Sequence, residues 1–418
     1  MHGKKQILSR TATTALTIAV SFALVAIFAQ SALCQTYEVL YTFTGGADGG
    51  QPAAGLTIDR ARNLYGTTST GGACCGTVFK LTNQASGWAF STLYSFLGGN
   101  DGSEPLGRVI FGPDGNLYGT TWGGGGSGCY GEGCGTVFRL NSPAAFCHTG
   151  SCSWTETVLH RFNLVDGAWP YNADLVFDQT GDLYGTTPFG GGFNSTINNG
   201  LVYELIPSRD GWTETILHNF GGFADGGAPH SGVIFDQAGN LYGTTSVGGA
   251  YGAGTVFQLS PSGSGWTKKI LHSFQRYDGI TPVGGLILDQ SGNLYGTTPD
   301  AGAGNGGTVY MLTPSNGDWT FTVLYAFTGA SESGPTASLA MDEAGNLYGT
   351  TPQGGPSGVG EVFKLTHSAG GWEYTALHDF TGIGGWYPTA VTLDADGNIY
   401  GTCSDANTGW GLVFEITP

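Results

Sequence analysis

The sequence is short of positive charge. It has 14 lysines and arginines in 418 residues against 31 acidic residues, a net charge of −17. Binding to nucleic acid or to anionic lipid needs a basic face, and this sequence offers none, so neither is expected as a partner. Charge of either sign is sparse: 11% of residues are charged, against about 25% in an ordinary soluble domain. Beyond residue 35 there is no apolar run long enough to cross a bilayer, so no membrane span is expected there. No Gly-x-Ser-x-Gly elbow, His-Glu-x-x-His pair or P-loop is present. The glycine pattern from Gly302 to Gly307 matches a dinucleotide fingerprint by letter. It precedes a strand, however, and so lacks the helix N-terminus that would hold a pyrophosphate.

What the sequence does have is glycine, 75 residues of it, together with 12% aromatics. A disordered chain lacks such large apolar side chains. Glycine and aromatics in this abundance, with few Glu and Lys, describe sheets joined by tight turns. The chain reads as all-β.

The first 34 residues differ in kind. Lys4, Lys5 and Arg10 precede an uncharged stretch from Ala12 to Ala29, and Ala32-Leu33-Cys34 closes it. This is the layout of a secretory signal cleaved near Cys34. The alternatives are an uncleaved N-terminal anchor and a lipoprotein, and Leu33 is too large for the latter. Residues 1–34 are therefore read as a signal peptide and 35–418 as one domain. The expected location is secreted, periplasmic or at the cell surface.

Three signatures repeat. The hexapeptide Asn63-Leu-Tyr-Gly-Thr-Thr68 recurs from Asn116, Asp182, Asn240, Asn293, Asn346 and Asn398, at intervals of 53, 66, 58, 53, 53 and 52 residues. Thr77-Val-Phe-Lys-Leu81 recurs after each copy. Leu-Tyr/His-x-Phe ends at Phe43, Phe96, Phe162, Phe220, Phe274, Phe327 and Phe380. Each unit reads as four strands. Strand A is the apolar run Gly55 to Asp59 and strand B the hexapeptide. Strand C has an aromatic at position 79 on one face and a variable residue at 80 on the other. Strand D is entered through Gly-Trp.

Four strands in a repeat of this length make a propeller blade. The segment from Tyr37 is a lone strand D and the chain ends on a strand C, so the N-terminal strand should complete the last blade and remove an exposed edge. The expected fold is a seven-bladed β-propeller of four-stranded blades, and a monomer is expected.

The pieces Gly-Asn-Leu-Tyr-Gly-Thr-Thr and Gly-Thr-Val-Phe-Lys-Leu resemble the repeats of exported bacterial proteins known as the choice-of-anchor tricyclic tandem-repeat family. The resemblance covers residues 35–418 and implies export without implying a catalytic residue set. Many such relatives carry a C-terminal sorting module, and none is expected after Pro418. Asp-x-x-Gly-Asn-Leu-Tyr is also similar to the repeat of sensor propellers on bacterial signalling receptors.

Strand direction places the D-to-A and B-to-C loops on one face, and those loops are the variable ones, where sites usually lie. Asp48, Asp101, Asp166, Asp225 and Asp278 recur there as Asp-Gly. A ring of carboxylates could bind Ca²⁺ or sugar hydroxyls, while ordinary turn chemistry accounts for Asp-Gly as well. No other cofactor is expected. Six of the ten tryptophans occupy the repeated entry to strand D and read as packing. Trp122, Trp169, Trp386 and Trp410 are off-pattern and fall in loops of the variable face, where aromatic rings beside carboxylates can hold a sugar; covering the loop base is the alternative. His160, His218, His272 and His378 occupy a position that is Tyr41, Tyr94 or Tyr325 elsewhere, so they read as structural.

Cys129, Cys134, Cys147 and Cys152 have the spacing of a four-cysteine zinc site, but strand C separates the pairs by ~20 Å. Local disulfides 129–134 and 147–152 are expected in an exported protein. Cys403 lies in blade 7 beside Cys74 and Cys75 of blade 1, where a bond across the closure is a further possibility.

Three functions stay open. The first is a non-enzymatic module binding a polysaccharide or other extracellular ligand. The second is a carbohydrate-active enzyme, a lyase or hydrolase, since paired carboxylates suffice for glycoside hydrolysis. The third is an interaction scaffold for an extracellular protein.

Overall fold

A computed structural model describes residues 35–143, 153–192, 199–263, 265–328 and 334–418. The expected signal peptide, Cys147 and Cys152 lie outside the described residues. Seven four-stranded antiparallel sheets make up the chain, with no α-helix among the described residues. In blade 1 the strands are Thr57–Ile58, Leu64–Thr68, Thr77–Gln84 and Gly87–Ser95, paired in chain order. Blade 7 combines Trp386–Leu393, Ile399–Asp405 and Leu412–Thr417 with Thr36–Thr42, which pairs with the last of these. The protein is a seven-bladed β-propeller closed by its N-terminal strand. Among the described residues no helix is long and apolar enough to cross a membrane.

Each letter of the repeat has a physical reason. In the hexapeptide, a Cβ on Gly66 would stand 2.6 Å from Phe79 Cζ and 2.8 Å from Leu56 Cδ2. Only glycine lets the strand C aromatic cross strand B there. The first threonine reaches the neighbouring blade: Thr67 Oγ1 donates to the Gly107 carbonyl at 3.1 Å, Thr297 to Ala337 at 3.0 Å, and Thr402 to Ala54 at 2.9 Å across the closure. The second threonine ties strand B to strand C, as in Thr68–Thr77 at 2.8 Å and Thr298–Thr308 at 2.9 Å.

The Leu-Tyr/His-x-Phe signature contains a β-bulge. Val78 pairs with Tyr94 and Phe79 with Thr92, so Leu93 is the extra residue, and the same shift recurs in the other blades. The bulge resets the alternation, which turns the following Phe into the core. That ring meets the strand C aromatic of the next blade edge-on: Phe43–Phe79 at 5.2 Å, Phe162–Tyr203 at 5.2 Å, Phe380–Phe414 at 5.4 Å. Such contacts contribute about 0.5–1.5 kcal/mol each beyond the buried area, and the ring of blades repeats them through its closure. The strand D tryptophans pack on the hexapeptide Tyr of the preceding blade, for example Trp266–Tyr184 at 6.3 Å and Trp88–Tyr400 at 5.9 Å.

The A-to-B turn is organised by one carboxylate. Asp59 accepts from the Ala61 and Asn63 N–H groups, Asn63 Nδ2 and the Tyr65 hydroxyl, at 2.7–3.0 Å. In blade 2 the first position is Gly112, and Asp114 receives the Asn116 and Tyr118 donors instead. Strand A is shorter than expected, two residues in blades 1 to 6. The chain just before it leaves the sheet to line the central channel, where neighbouring threonines take its carbonyls.

Candidate functional site

The D-to-A connections are locked onto the B-to-C loops of the preceding blade. Gln51, Glu104, Trp169, Thr281 and Tyr387 donate their N–H to Trp410, Cys75, Cys134, Ala253 and Val359, at 2.7–3.0 Å. All five have left-handed backbones, φ 53 to 60°. For a residue with a side chain this conformation costs about 1–2 kcal/mol, and the inter-blade bond holds it. The backbone of each such residue is therefore held in place, and Trp169 and Phe189 pack against the core of blades 2 and 3.

In blades 2 and 3 this geometry assembles an aromatic group. Trp122 and Trp169 are near-parallel, with centroids 5.9 Å apart and planes 18° apart. Tyr130 continues the row at 6.5 Å and 18° from Trp169, and Phe189 meets Trp169 edge-on at 5.6 Å. The spacing is that of offset steps, not face-to-face stacking. Tyr130 is 80% exposed. Trp169 Nε1 donates to the Gly133 carbonyl at 3.3 Å, which fixes the indole. The loop carrying Tyr130 is bridged by a Cys129–Cys134 disulfide. Tyr130 and Phe189 were not legible as site residues, because neither breaks a repeat pattern.

Two acidic residues are tied to the same loops through their backbones. The Glu104 carbonyl accepts from the Trp122 N–H at 2.9 Å, and the Glu132 carbonyl from Gly124 at 2.9 Å. Burial, and then the nearby Glu132 charge, raise the Glu104 carboxyl above its ordinary range.

The other two off-pattern tryptophans are placed differently. Trp410 is 37% exposed and lies over Gly45 and Gly50, whose added Cβ atoms would come within 2.3 and 2.8 Å of its ring. Trp386 is not in a loop: it opens the long inner strand of blade 7, opposite Asp405. Its Nε1 is buried without a partner, next to Gly382. Neither shares a ring contact with the row of blades 2 and 3.

The Asp-Gly carboxylates are oriented back toward their own blades. Asp48 accepts from the Tyr41 hydroxyl at 3.0 Å and the Thr44 N–H at 2.8 Å. Asp101 accepts from Tyr94 and the Leu97 N–H, both at 2.9 Å. Asp166 takes the Asn163 N–H and side chain at 2.8 and 2.7 Å. Histidine replaces tyrosine as the partner in His218–Asp225 and His272–Asp278, each 3.1 Å. Burial works to raise the Asp48 and Asp225 carboxyls, but these donors, and Lys268 for Asp225, outweigh it and hold both below the ordinary range. Burial lowers His218, His272 and His378.

A bond between Cys403 and Cys74 or Cys75 does not form. Cys74 and Cys75 are bonded to each other, and Cys403 is a buried free thiol. It sits inside the core of blade 7 against Gly385. The expected 147–152 bridge falls outside the described residues.

A cavity of about 750 Å³ occupies the central channel, lined mainly by strand A residues and the segments before them. Its chief polar feature is the Arg108–Asp174 ion pair at 2.8 Å, which joins blades 2 and 3.

The sequence matches the model of the Gloeobacter/Verrucomicrobia repeat over residues 26–197 and 192–414. Among curated proteins, none matches. Among solved structures, the extracellular domain of a one component system from B. thetaiotaomicron is similar, with 13% identity, a TM-score of 0.55, and coverage of 91% of this chain and 42% of that one. This chain thus spans less than half of that structure's length. PorZ, a surface component of the type-IX secretion system of Porphyromonas gingivalis, has 12% identity, a TM-score of 0.49, and coverage of 86% and 46%. At 13% identity the first likeness extends to the fold alone.

Proposed function

The chain belongs to the Gloeobacter/Verrucomicrobia repeat family, and on that footing we propose that it is an exported, non-enzymatic binding propeller that takes a glycan on the aromatic steps of blades 2 and 3. The observation that carries the reading is the row Trp122–Trp169–Tyr130, held near-parallel on a rigid base with Tyr130 open to solvent. Sugar rings present C–H faces to such steps and hydroxyl edges to neighbouring acceptors, which Glu104 and Glu132 provide. A net charge of −17 suits a neutral or cationic ligand better than an anionic one. Export is supported by the N-terminal signal layout, by the resemblance to choice-of-anchor repeat proteins, and by disulfides at Cys74–Cys75 and Cys129–Cys134. The similar fold from B. thetaiotaomicron is itself an extracellular domain.

Affinity electrophoresis through a panel of polysaccharides tests this. Retardation by at least one glycan is expected, weakened about tenfold or more in Trp169→Ala and Tyr130→Ala and unchanged in Trp410→Ala. No retardation by any glycan, or equal loss in all three variants, refutes the placement.

A second reading, a lyase or hydrolase, draws on Glu104 and Glu132. A carboxyl raised by burial with a second carboxylate charge nearby has the protonation state a glycosidase acid needs. It calls for turnover that Glu104→Gln abolishes while glycan retardation persists.

A further inference from the structure

Each blade junction repeats one outer contact. The strand D Tyr or His of one blade faces, on strand D of the next, the residue four places before that blade's own Tyr or His. At four junctions this residue is aromatic and lies flat on its partner, as in Tyr41–Phe90 at 4.1 Å and His272–Phe321 at 3.9 Å. At the junction of blades 3 and 4 it is Lys268, whose Nζ stands 2.7 Å from Asp225 Oδ1 and neutralises it. At the junction of blades 1 and 2 it is Glu156, but the facing ring is Tyr94, already donating to Asp101.

The junction of blades 2 and 3 differs from all of these. Glu214 stands where Lys268 stands next door, so two carboxylates and one imidazole face one another. His160 Nε2 is 3.5 Å from Asp166 Oδ2 and 3.9 Å from Glu214 Oε2, and one ligand atom from each residue lies within 4.8 Å of the others. The first distance exceeds a normal N–H···O bond, roughly 3.2 Å at most. It approaches the roughly 3.4 Å edge of a tetrahedron with ~2.1 Å metal bonds. The side chains are 16%, 17% and 11% exposed, and His160 Nε2 and Glu214 Oε1 are buried without a hydrogen bond. Among the described residues, no lysine or arginine pairs with either carboxylate.

We propose that His160, Asp166 and Glu214 form a divalent metal site, of the Zn²⁺ class, that clips blade 2 to blade 3. Imidazole nitrogen and carboxylate oxygen are both zinc ligands, and sites with three protein ligands leave a fourth position to water. Asp166 already accepts the Asn163 N–H and side-chain amide, the outer-shell support that orients a metal-binding carboxylate. The ion takes the place that the Lys268 ammonium occupies one junction on. The site shares no residue with the aromatic steps, so it stands or falls without the glycan reading.

The protein supplies its own control substitutions. Glu214→Lys copies the junction of blades 3 and 4, and His160→Tyr copies that of blades 1 and 2, so both place side chains that this fold already accommodates. After stripping with a chelator, the purified protein is titrated with Zn²⁺ by calorimetry, with metal content and melting temperature measured alongside. One equivalent is expected in the wild type with a rise in melting temperature. Both variants should bind on the order of 100-fold more weakly or worse and show no rise. Should one variant fail to fold, the other, or Glu214→Gln, carries the comparison. No Zn²⁺ bound by the wild type, or binding unchanged in the folded variants, overturns the site.

Discussion

If the N-terminal strand closes the ring as an equal member, truncating its core ring should cost as much as the same truncation in an internal blade. Phe43 and Phe274 make that comparison possible. Phe43 is 0% exposed and meets Phe79 at 5.2 Å, Phe90 at 5.9 Å and Tyr41 at 5.2 Å. Phe274 is 0% exposed and meets Tyr310 at 5.1 Å, Phe321 at 5.8 Å and His272 at 4.9 Å. Their amides donate to Gly411 and Gly254, each at 3.0 Å. Phe→Ala in such a setting costs about 3–5 kcal/mol. An unfolding entropy of about 2.1 cal/mol/K per residue over about 380 residues gives roughly 0.8 kcal/mol/K. Each variant should therefore melt about 4–6 °C lower, in one transition, by scanning calorimetry. Loss of less than about 1 kcal/mol in Phe43→Ala alone, or an early separate transition seen only there, would show that the closure opens on its own.

Two further outcomes follow from the electrostatics. Asp289 lies below the ordinary carboxyl range, because donors from Asn293, Tyr295 and the Ser291 N–H outweigh its burial. A depressed folded-state pKa stabilises the protein above the unfolded value of about 3.9 and ceases to do so as pH falls through the folded value. Asp289→Asn should then be less stable by about 1 kcal/mol at pH 7, allowing for solvent screening, and denaturant titrations should show the gap closing below about pH 4; a gap unchanged at pH 3 refutes this. The Cys403 thiol is buried and pushed well above its ordinary range by burial, so iodoacetamide should label it only after unfolding, and labelling of the folded protein at pH 8 would contradict its placement.

The site was legible only in part. Trp122 and Trp169 broke the repeat and fell in adjacent blades, and the fold brings them together. Trp386 and Trp410 broke it equally, yet one opens a strand and the other covers two glycines. Tyr130, Phe189 and Glu214 carried no local signal. Glu214 occupies a position that is also Lys, Phe or Tyr, which reads as a free surface site until its partner across the junction is known. The Asp-Gly carboxylates could be read as a ring around a channel or as turns, and the direction of each side chain, toward strand D of its own blade, was not in the spacing.

The blade count, the strand order and the closing strand were determined by the sequence alone. Repetition is a one-dimensional property: each blade needs the same glycine for close approach, the same threonines for the next blade and for its own strand C, and the same bulged Leu before its core Phe, so the letters recur wherever the physics does. Contacts between blades join residues tens of positions apart, 36 for Phe43 and Phe79 and 82 for Tyr184 and Trp266, and whether two such residues meet depends on side-chain direction and on what the neighbouring blade places opposite. The aromatic steps and the His160–Asp166–Glu214 cluster belong to that second class. Only the tertiary structure decided them.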